Sequence, residues 1–430
     1  MLIMKHNNVI NIYLNNILLF IVFFFPLAII LGSAAINISV ALICVITLLR
    51  FFKDIEKYLT KNSLLIYLFF LFLYIFVNQI FKFNSLDLFL KSLANFRYLI
   101  FSLGVFIVLE NTSKKKILFY SKINLVLILF VCLDIVYQFF FYENIFGFKP
   151  GMCVLPLLEC TRFSGVFNEE LIAGSFISQI GLLILFLNSE IKSNKKNAFI
   201  LIFSLFIFYV ILITGERTAL LIFIITLFFI LFFKKKLFIF FLVIICLLST
   251  IFILATKYEP INKRFIELYS NVKIAPNGTF IEKIKENPWS YHYQASIELF
   301  LKKPITGYGI KSFRVKCLET NIDKKTIENN VYYKDYRACA THPHNYFLEF
   351  LVEQGLIGGI FYIGLIIMII SIIYKKIKHK KETFLCIAIG SLILAIIFPF
   401  KPSGSFLSTY NASVLFYTFG FFIHSLKNTK

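Results

Sequence analysis

Long apolar runs alternate along the chain with short polar connections, and the runs fall at about residues 9–31, 34–52, 63–81, 92–110, 121–142, 170–189, 198–214, 218–233, 237–256, 346–374, 383–400 and 411–427. One bilayer crossing needs ~20 apolar residues, so each run is long enough, or nearly so, to span. The pattern predicts an all-α polytopic membrane protein with about 12 transmembrane helices. A single polar stretch, Lys257 to Asn345, interrupts it between the ninth and tenth helices. The chain thereby divides into membrane helices 1–9 (residues 1–256), an extramembrane helical loop domain (257–345) and membrane helices 10–12 with a tail (346–430). The first run exceeds the ~7 to 15 residues of a signal-peptide core and is read as helix one despite Lys5 before it and Gly32 to Ala35 after it.

Composition agrees with the pattern. Of 430 residues 59% are hydrophobic, 16% are charged and 55 are Phe, whereas soluble domains run at about 45–50% apolar and 25% charged. The net charge of +21 would suggest nucleic acid in a soluble chain, but here it reports topology. With a cytoplasmic N-terminus, Lys5 and the inner connections Arg50–Lys61, Lys114–Lys122, Lys192–Lys196, Lys234–Lys236, Lys375–Lys381 and the tail hold 22 of the 44 basic residues. The short outer connections and adjoining spans hold only Lys82, Lys91, Arg97, Lys149, Arg162, Arg217 and Lys401. Both termini are therefore expected in the cytoplasm, with the loop between helices 9 and 10 outside, because long domains translocate largely regardless of charge. No internal repeat is present, and no nucleic-acid partner is expected.

Four cysteines, Cys44, Cys132, Cys246 and Cys386, fall within spans; Cys153 with Cys160 and Cys317 with Cys339 fall in outer segments. In an oxidising compartment the outer set pairs naturally as two disulfides, and neither pair has the spacing of a zinc knuckle.

Polar residues break the apolar pattern near the outer face in four places. Arg162 to Glu170 precedes helix six, and Thr214-Gly-Glu-Arg217 occupies the tight turn between helices seven and eight. An arginine near the hydrocarbon is costly and marks a ligand or partner; the alternative is that Arg217 snorkels or pairs with Glu216. Trp289 to Phe300 reads as an amphipathic helix, followed by Lys302-Lys-Pro-Ile-Thr-Gly-Tyr-Gly309 and Arg314, with glycines of turn character and no nucleotide-binding loop. Finally, Thr341-His-Pro-His-Asn345 leads into helix ten, where Asn345, Glu349 and Glu353 share one face. Two readings stand there: a capped helix start with glutamates at its positive end, or a histidine acting as proton acceptor at the membrane surface. A histidine metal site lacks a third ligand fixed by sequence.

The segment His344-Asn345, nine residues, Gly355, two residues, Gly358 resembles the signature of bacterial O-antigen ligases, and Arg217 with Leu221 resembles their Arg, three, Leu element. Pro304, Gly307, Gly309, Phe313 and His342 to Asn345 resemble the domain shared by O-antigen ligases and polymerases. About twelve helices with a large periplasmic loop between the ninth and tenth is also that family's architecture. One departure stands out: family members commonly carry an arginine on the periplasmic helix where this chain has Trp289 to Tyr293, and Arg264 or Arg314 is left to supply that charge.

The resemblance implies an inner-membrane glycosyltransferase with a periplasmic active face. It would move a glycan from undecaprenyl diphosphate to an acceptor hydroxyl without metal or other cofactor, inverting the anomeric carbon. Arg217 is the first choice for the diphosphate, with Arg162, Arg314 and Arg264 as further candidates; His344 is the base, supported by His342, Asn345, Glu170 and Glu353. Transfer to lipid A core, the ligase reaction of lipopolysaccharide biosynthesis, is favoured over polymerisation of lipid-linked repeat units. A lipid-glycan flippase or other transporter would more often show repeats and midplane polar sites.

Overall fold

A computed structural model describes residues 2–60, 62–82, 85–154, 159–190, 196–266, 288–322, 339–380 and 383–427. Its helices are α1 (Leu2–Ile30), α2 (Ser33–Thr60), α3 (Ser63–Phe81), α4 (Leu86–Ala94), α5 (Phe96–Glu110), α6 (Lys114–Phe141), α7 (Ala173–Asn188), α8 (Lys196–Thr214), α9 (Arg217–Phe233), α10 (Leu237–Lys257), α11 (Pro288–Lys302), α12 (Tyr346–Lys378), α13 (Phe384–Ile396) and α14 (Thr409–Lys427). Every apolar run is helical. Among the described residues, eight helical stretches are long and apolar enough to cross a membrane, counting α4 and α5 as one, and α7, α9 and α13 are shorter apolar helices. The chain is an all-α polytopic membrane protein, with one small antiparallel hairpin among the described residues, β1 (Met152–Val154) with β2 (Glu159–Arg162).

The helices depart from the apolar pattern at identifiable places. The fourth run is broken at Asn95, with Ser85 accepting from the Leu88 amide to cap α4 upstream of the apolar stretch. The sixth run begins with turns, and a wide π turn over Ile177–Gly181 lies inside α7. Such wide turns recur at functional sites. Helix α13 ends at Ile396, four residues before the apolar run does.

The core is one continuous apolar cluster. Phe25, Phe101, Phe416 and Tyr417 are fully buried where α1, α5 and α14 meet, and α9 packs along α13. A second, small core of Ala295, Leu299, Phe313, Cys317 and Val352 ties α11 to the first turns of α12. The Cys317–Cys339 disulfide closes its edge. Cys160 is likewise disulfide-bonded, and the register of the hairpin sets it opposite Cys153. Most of the segment between Cys317 and Cys339 (323–338), with residues 61, 191–195 and 381 of the basic connections, lies outside the described residues.

The glycines of the family motif explain themselves in this packing. Helix α12 is not continuous: at Gly355 the backbone takes φ 67°, ψ −164°, and the turn Pro304 to Gly309 inserts against that break. The amides of Tyr308 and Gly309 donate to the carbonyls of Val352 and Glu353, while those of Leu356 and Ile357 donate to Pro304 and Ile305. A Cβ on Gly355 would lie 2.3 Å from the Ile305 carbonyl oxygen, and one on Gly307 2.5 Å from that of Val352. Polar residues on α3 hold the turn in place: Asn78 donates to the Thr306 carbonyl, Tyr74 donates to that of Gln354, and Gln79 accepts from the Ile310 amide.

Candidate functional site

Two polar clusters form at the end of the bundle where α9, α12 and α14 begin. The first is built on Thr214-Gly-Glu-Arg217. Gly215 has φ 66°, and a Cβ there would lie 2.4 Å from the Thr161 carbonyl, so the turn can approach β2 only as glycine. Glu216, buried, accepts from the amides of Gly174 (2.8 Å) and Ser175 (3.1 Å) and from the Ser175 hydroxyl (2.8 Å). It thereby caps the start of α7, where unsatisfied amides and the helix dipole favour an anion.

Three arginines converge around this turn from separate elements. Arg162 ends β2, Arg217 opens α9, and Arg264 lies in the π turn Asn262–Ile266 after α10. Arg217 donates through Nε to the Arg264 carbonyl (2.8 Å), and Arg264 donates through Nε to the Gly215 carbonyl (3.0 Å). Arg162 donates to the Leu171 carbonyl (3.1 Å), and its guanidinium stands 4.0 Å from Glu216. Burial, with the added repulsion of Arg217 and Arg162, lowers the Arg264 pKa to about 10. Burial also lowers that of Arg162, partly offset by the attraction of Glu216. The Glu216 carboxyl is raised by burial, against the pull of Arg162 and of its hydrogen bonds. Three guanidiniums brought close together from separate elements make a setting suited to an anionic ligand.

The second cluster surrounds the start of α12. Asn345 caps the helix, accepting from the Leu348 amide, and its own amide donates to the Pro399 carbonyl (2.7 Å), tying the helix start to the loop after α13. His344 stands just before it in a left-handed conformation (φ 57°), uncommon for a residue other than glycine. Its carbonyl accepts from the Ser403 amide (2.8 Å). The ring packs 4.2 Å from that of His342, 5.1 Å from that of His292 and 4.5 Å, edge to face, from Trp289, centroid to centroid. Burial first, then His342 and His292, lower the His344 pKa to about 3; burial, His292 and Arg314 lower that of His342 to about 4. Both rings are therefore neutral near pH 7, and so low a pKa makes each a weak base until a neighbouring anion raises it. His342 is hydrogen-bonded to the Ser403 backbone, which partly offsets the lowering, and its Nδ1 is 2.8 Å from the Thr341 hydroxyl.

Glu349 and Glu353, both buried, continue below the histidines. Glu349 accepts from the Ser405 hydroxyl and from the Phe406 amide (2.8 Å). Arg314, exposed on the short turn Phe313–Lys316, acts electrostatically on His342, Glu349 and Glu353. Lys401 is buried over the ring of Tyr346, and burial lowers its pKa to about 8. Tyr410, at the start of α14, is within electrostatic reach of both Glu216 and Tyr346; its buried hydroxyl has no partner among the described residues.

The structure therefore brings Arg162, Arg217 and Arg264 together and sets Arg314 with His342, His344, Asn345 and Glu353. Glu170 is exposed on the turn before α7, and the carboxylate among the arginines is Glu216. Sequence reading missed His292, Glu216, Lys401 and Tyr410 as site residues. His292 and Glu216 carried a usable signal: His292 lies on the amphipathic segment Trp289 to Phe300 and is one of six histidines in the chain, and Glu216 neighbours Arg217 in the polar turn.

Residues 202–363 match the family model described as O-Antigen ligase. The matched stretch runs from α8 into α12 and contains Arg217, Arg264, Arg314, all three clustered histidines and the Gly355 break, while Arg162 lies before it. The motif resemblance is thus shown over this part of the chain. No curated protein matches the chain.

Proposed function

We propose that this chain, which carries an O-antigen ligase domain over residues 202–363, transfers a glycan from undecaprenyl diphosphate to an acceptor hydroxyl at the periplasmic face of the bacterial inner membrane. The observation that carries the reading is the convergence of Arg162, Arg217 and Arg264 from three separate elements, at the same end of the bundle as the neutral histidines. On this reading Arg264 supplies the charge absent from Trp289 to Tyr293. The arginines bind the diphosphate oxygens and stabilise the charge that develops as the glycosidic bond breaks. His344 takes the proton from the acceptor hydroxyl as its oxygen attacks the anomeric carbon; the carbon–oxygen bond to the carrier breaks, and undecaprenyl diphosphate leaves. A single displacement of this kind inverts the anomeric configuration.

The associated architecture is twelve crossings with both termini in the cytoplasm, residues 257–345 outside, and the domain limits given by the polar stretch. The acceptor is lipid A core, making the protein a ligase of lipopolysaccharide biosynthesis; a polymerase would use the same carrier site with a lipid-linked acceptor. The surface glycan of a deletion strain separates them. Accumulated long lipid-linked polymer with bare lipid A core is the ligase outcome. Single repeat units on lipid A core would assign the chain as a polymerase, and an unchanged glycan would overturn the proposal.

A further inference from the structure

A cavity of about 710 Å³ lies at the end of the bundle opposite the arginine and histidine clusters. The helices themselves establish this. Helix α3 starts at the cavity with Asn62 and Ser63 and reaches the other end with Asn78 and Gln79; α12 and α14 start at the clusters with Tyr346 and Tyr410 and end at the cavity with Lys375 to His379 and Leu426–Lys427. The cavity has two kinds of wall. One is cationic: Lys57, Lys375, Lys376 and Lys427, with His379 beside them. The other is apolar, formed by Tyr58, Phe106, Ile372 and Leu426.

Among the described residues, its lysines outnumber the carboxylates that line it. Glu110 is the carboxylate that lines it, and Glu110 already accepts from Lys427 (3.1 Å) and faces His424 at 3.7 Å. Lys427 is further fixed by the faces of Phe106 and Tyr58 (4.9 and 5.5 Å), and Lys376 donates to the Leu426 carbonyl (2.5 Å). Among the described residues, Lys57, Lys375 and His379 have no carboxylate partner. Leu49 and Phe52 on α2 and Phe70 on α3 are exposed apolar side chains on helices that also line the cavity. A free phosphate would use only the lysines, whereas a lipid uses both walls.

We propose that this cavity is a binding site for the phosphate headgroup of an anionic phospholipid in the cytoplasmic leaflet. Basic pockets between helix ends on that side are suited to such headgroups. Lys57 and Lys375 bind the phosphate oxygens, Lys376 and Lys427 hold the local field, and Tyr58 and Phe106 receive the glycerol and upper acyl carbons. The proposal does not depend on the glycosyltransferase reading, because none of its residues belongs to the arginine or histidine clusters.

The test is native mass spectrometry and lipid titration of the purified full chain in neutral detergent, with phosphatidylglycerol, cardiolipin, phosphatidylcholine and inorganic phosphate as separate probes. One anionic lipid should bind tightly and saturably, with phosphatidylcholine at least tenfold weaker. A lysine near an anionic surface is worth about fivefold in affinity, so Lys57→Gln with Lys375→Gln should weaken binding about 25-fold. Both side chains are exposed, and thermal stability without lipid should stay at the parent value. Arg217→Ala should leave lipid binding unchanged, which separates this site from the other end. Equal binding of phosphatidylcholine, competition by millimolar inorganic phosphate, or parent affinity in the double variant would each overturn the proposal.

Discussion

Replacing Gly355 by alanine tests how the break in α12 seats the turn Pro304 to Gly309. The residue has φ 67°, ψ −164°, a region essentially confined to glycine, and a side chain there costs about 1 to 3 kcal/mol in backbone strain. Space adds a second term. The new Cβ would meet the Ile305 oxygen at 2.3 Å, the Ile305 carbonyl carbon at 2.4 Å and the Thr306 nitrogen at 2.5 Å, all of them backbone. The turn cannot yield locally, because Asn78 and Gln79 hold it from α3. It must lift, and the Leu356–Pro304 and Ile357–Ile305 hydrogen bonds are then lost, at about 1 kcal/mol each. Together these give about 3 to 5 kcal/mol of local destabilisation. Hydrogen exchange in detergent should show the amides of Tyr308, Gly309 and Leu356 exchanging about 10² to 10⁴ times faster, with α1 and α5 unaffected. Gly359→Ala is the control, since its nearest foreign atom is the movable tip of Leu351 at 2.7 Å and alanine favours a helix by about 1 kcal/mol. Parent exchange rates in Gly355→Ala would refute the reasoning.

Glu216→Ala removes the carboxylate that caps α7 and faces Arg162, and should cost about 3 kcal/mol in thermal denaturation; parent stability would show that the turn does not need its anion. The histidines give a pH dependence of stability with a defined sign. His344 and His342 are held neutral in the fold, with pKa lowered to about 3 and about 4, so below 6.5 the unfolded chain binds more protons. Their contribution is complete above pH 6.5 and is lost progressively as pH falls towards 3, and the difference in denaturation temperature between parent and His342→Ala should narrow over that range. Cys317→Ser with Cys339→Ser should lower stability by about 2 to 4 kcal/mol, read as faster exchange in α11 with α9 and α13 unchanged. Thiol labelling of the unreduced parent should leave both cysteines unmodified.

The apolar runs were legible because a helix in hydrocarbon must satisfy its backbone internally, so length and hydropathy alone locate it. The irregularities were not legible by the same means. The break at Asn95 follows a local cap at Ser85, and the π turn of α7, Ile177 to Gly181, contains Ser178, Gln179 and a glycine, none of which by itself specifies a wide turn. Asn345 showed its capping role because cap residues act over three positions. Arg162 and Arg264 are brought to Arg217 from distant parts of the chain, a matter of packing that spacing does not encode. Glu216 was visible as a neighbour of Arg217, but its hydrogen bonds to α7 depend on where β2 and α7 meet the turn. Gly307 and Gly355 read as turn and motif residues; that they press backbone against backbone required the fold.

The central claim is that the neutral His344 accepts the acceptor's proton while the arginines hold the carrier. The most direct measurement is the single-turnover rate of glycan transfer from undecaprenyl-diphosphate donor by purified His344→Ala, alongside donor binding by the same protein. The account predicts a rate about 10² to 10⁴ times below the parent, with donor affinity and thermal stability retained. Transfer at the parent rate by the folded variant would contradict it and leave His344 as part of a capped helix start.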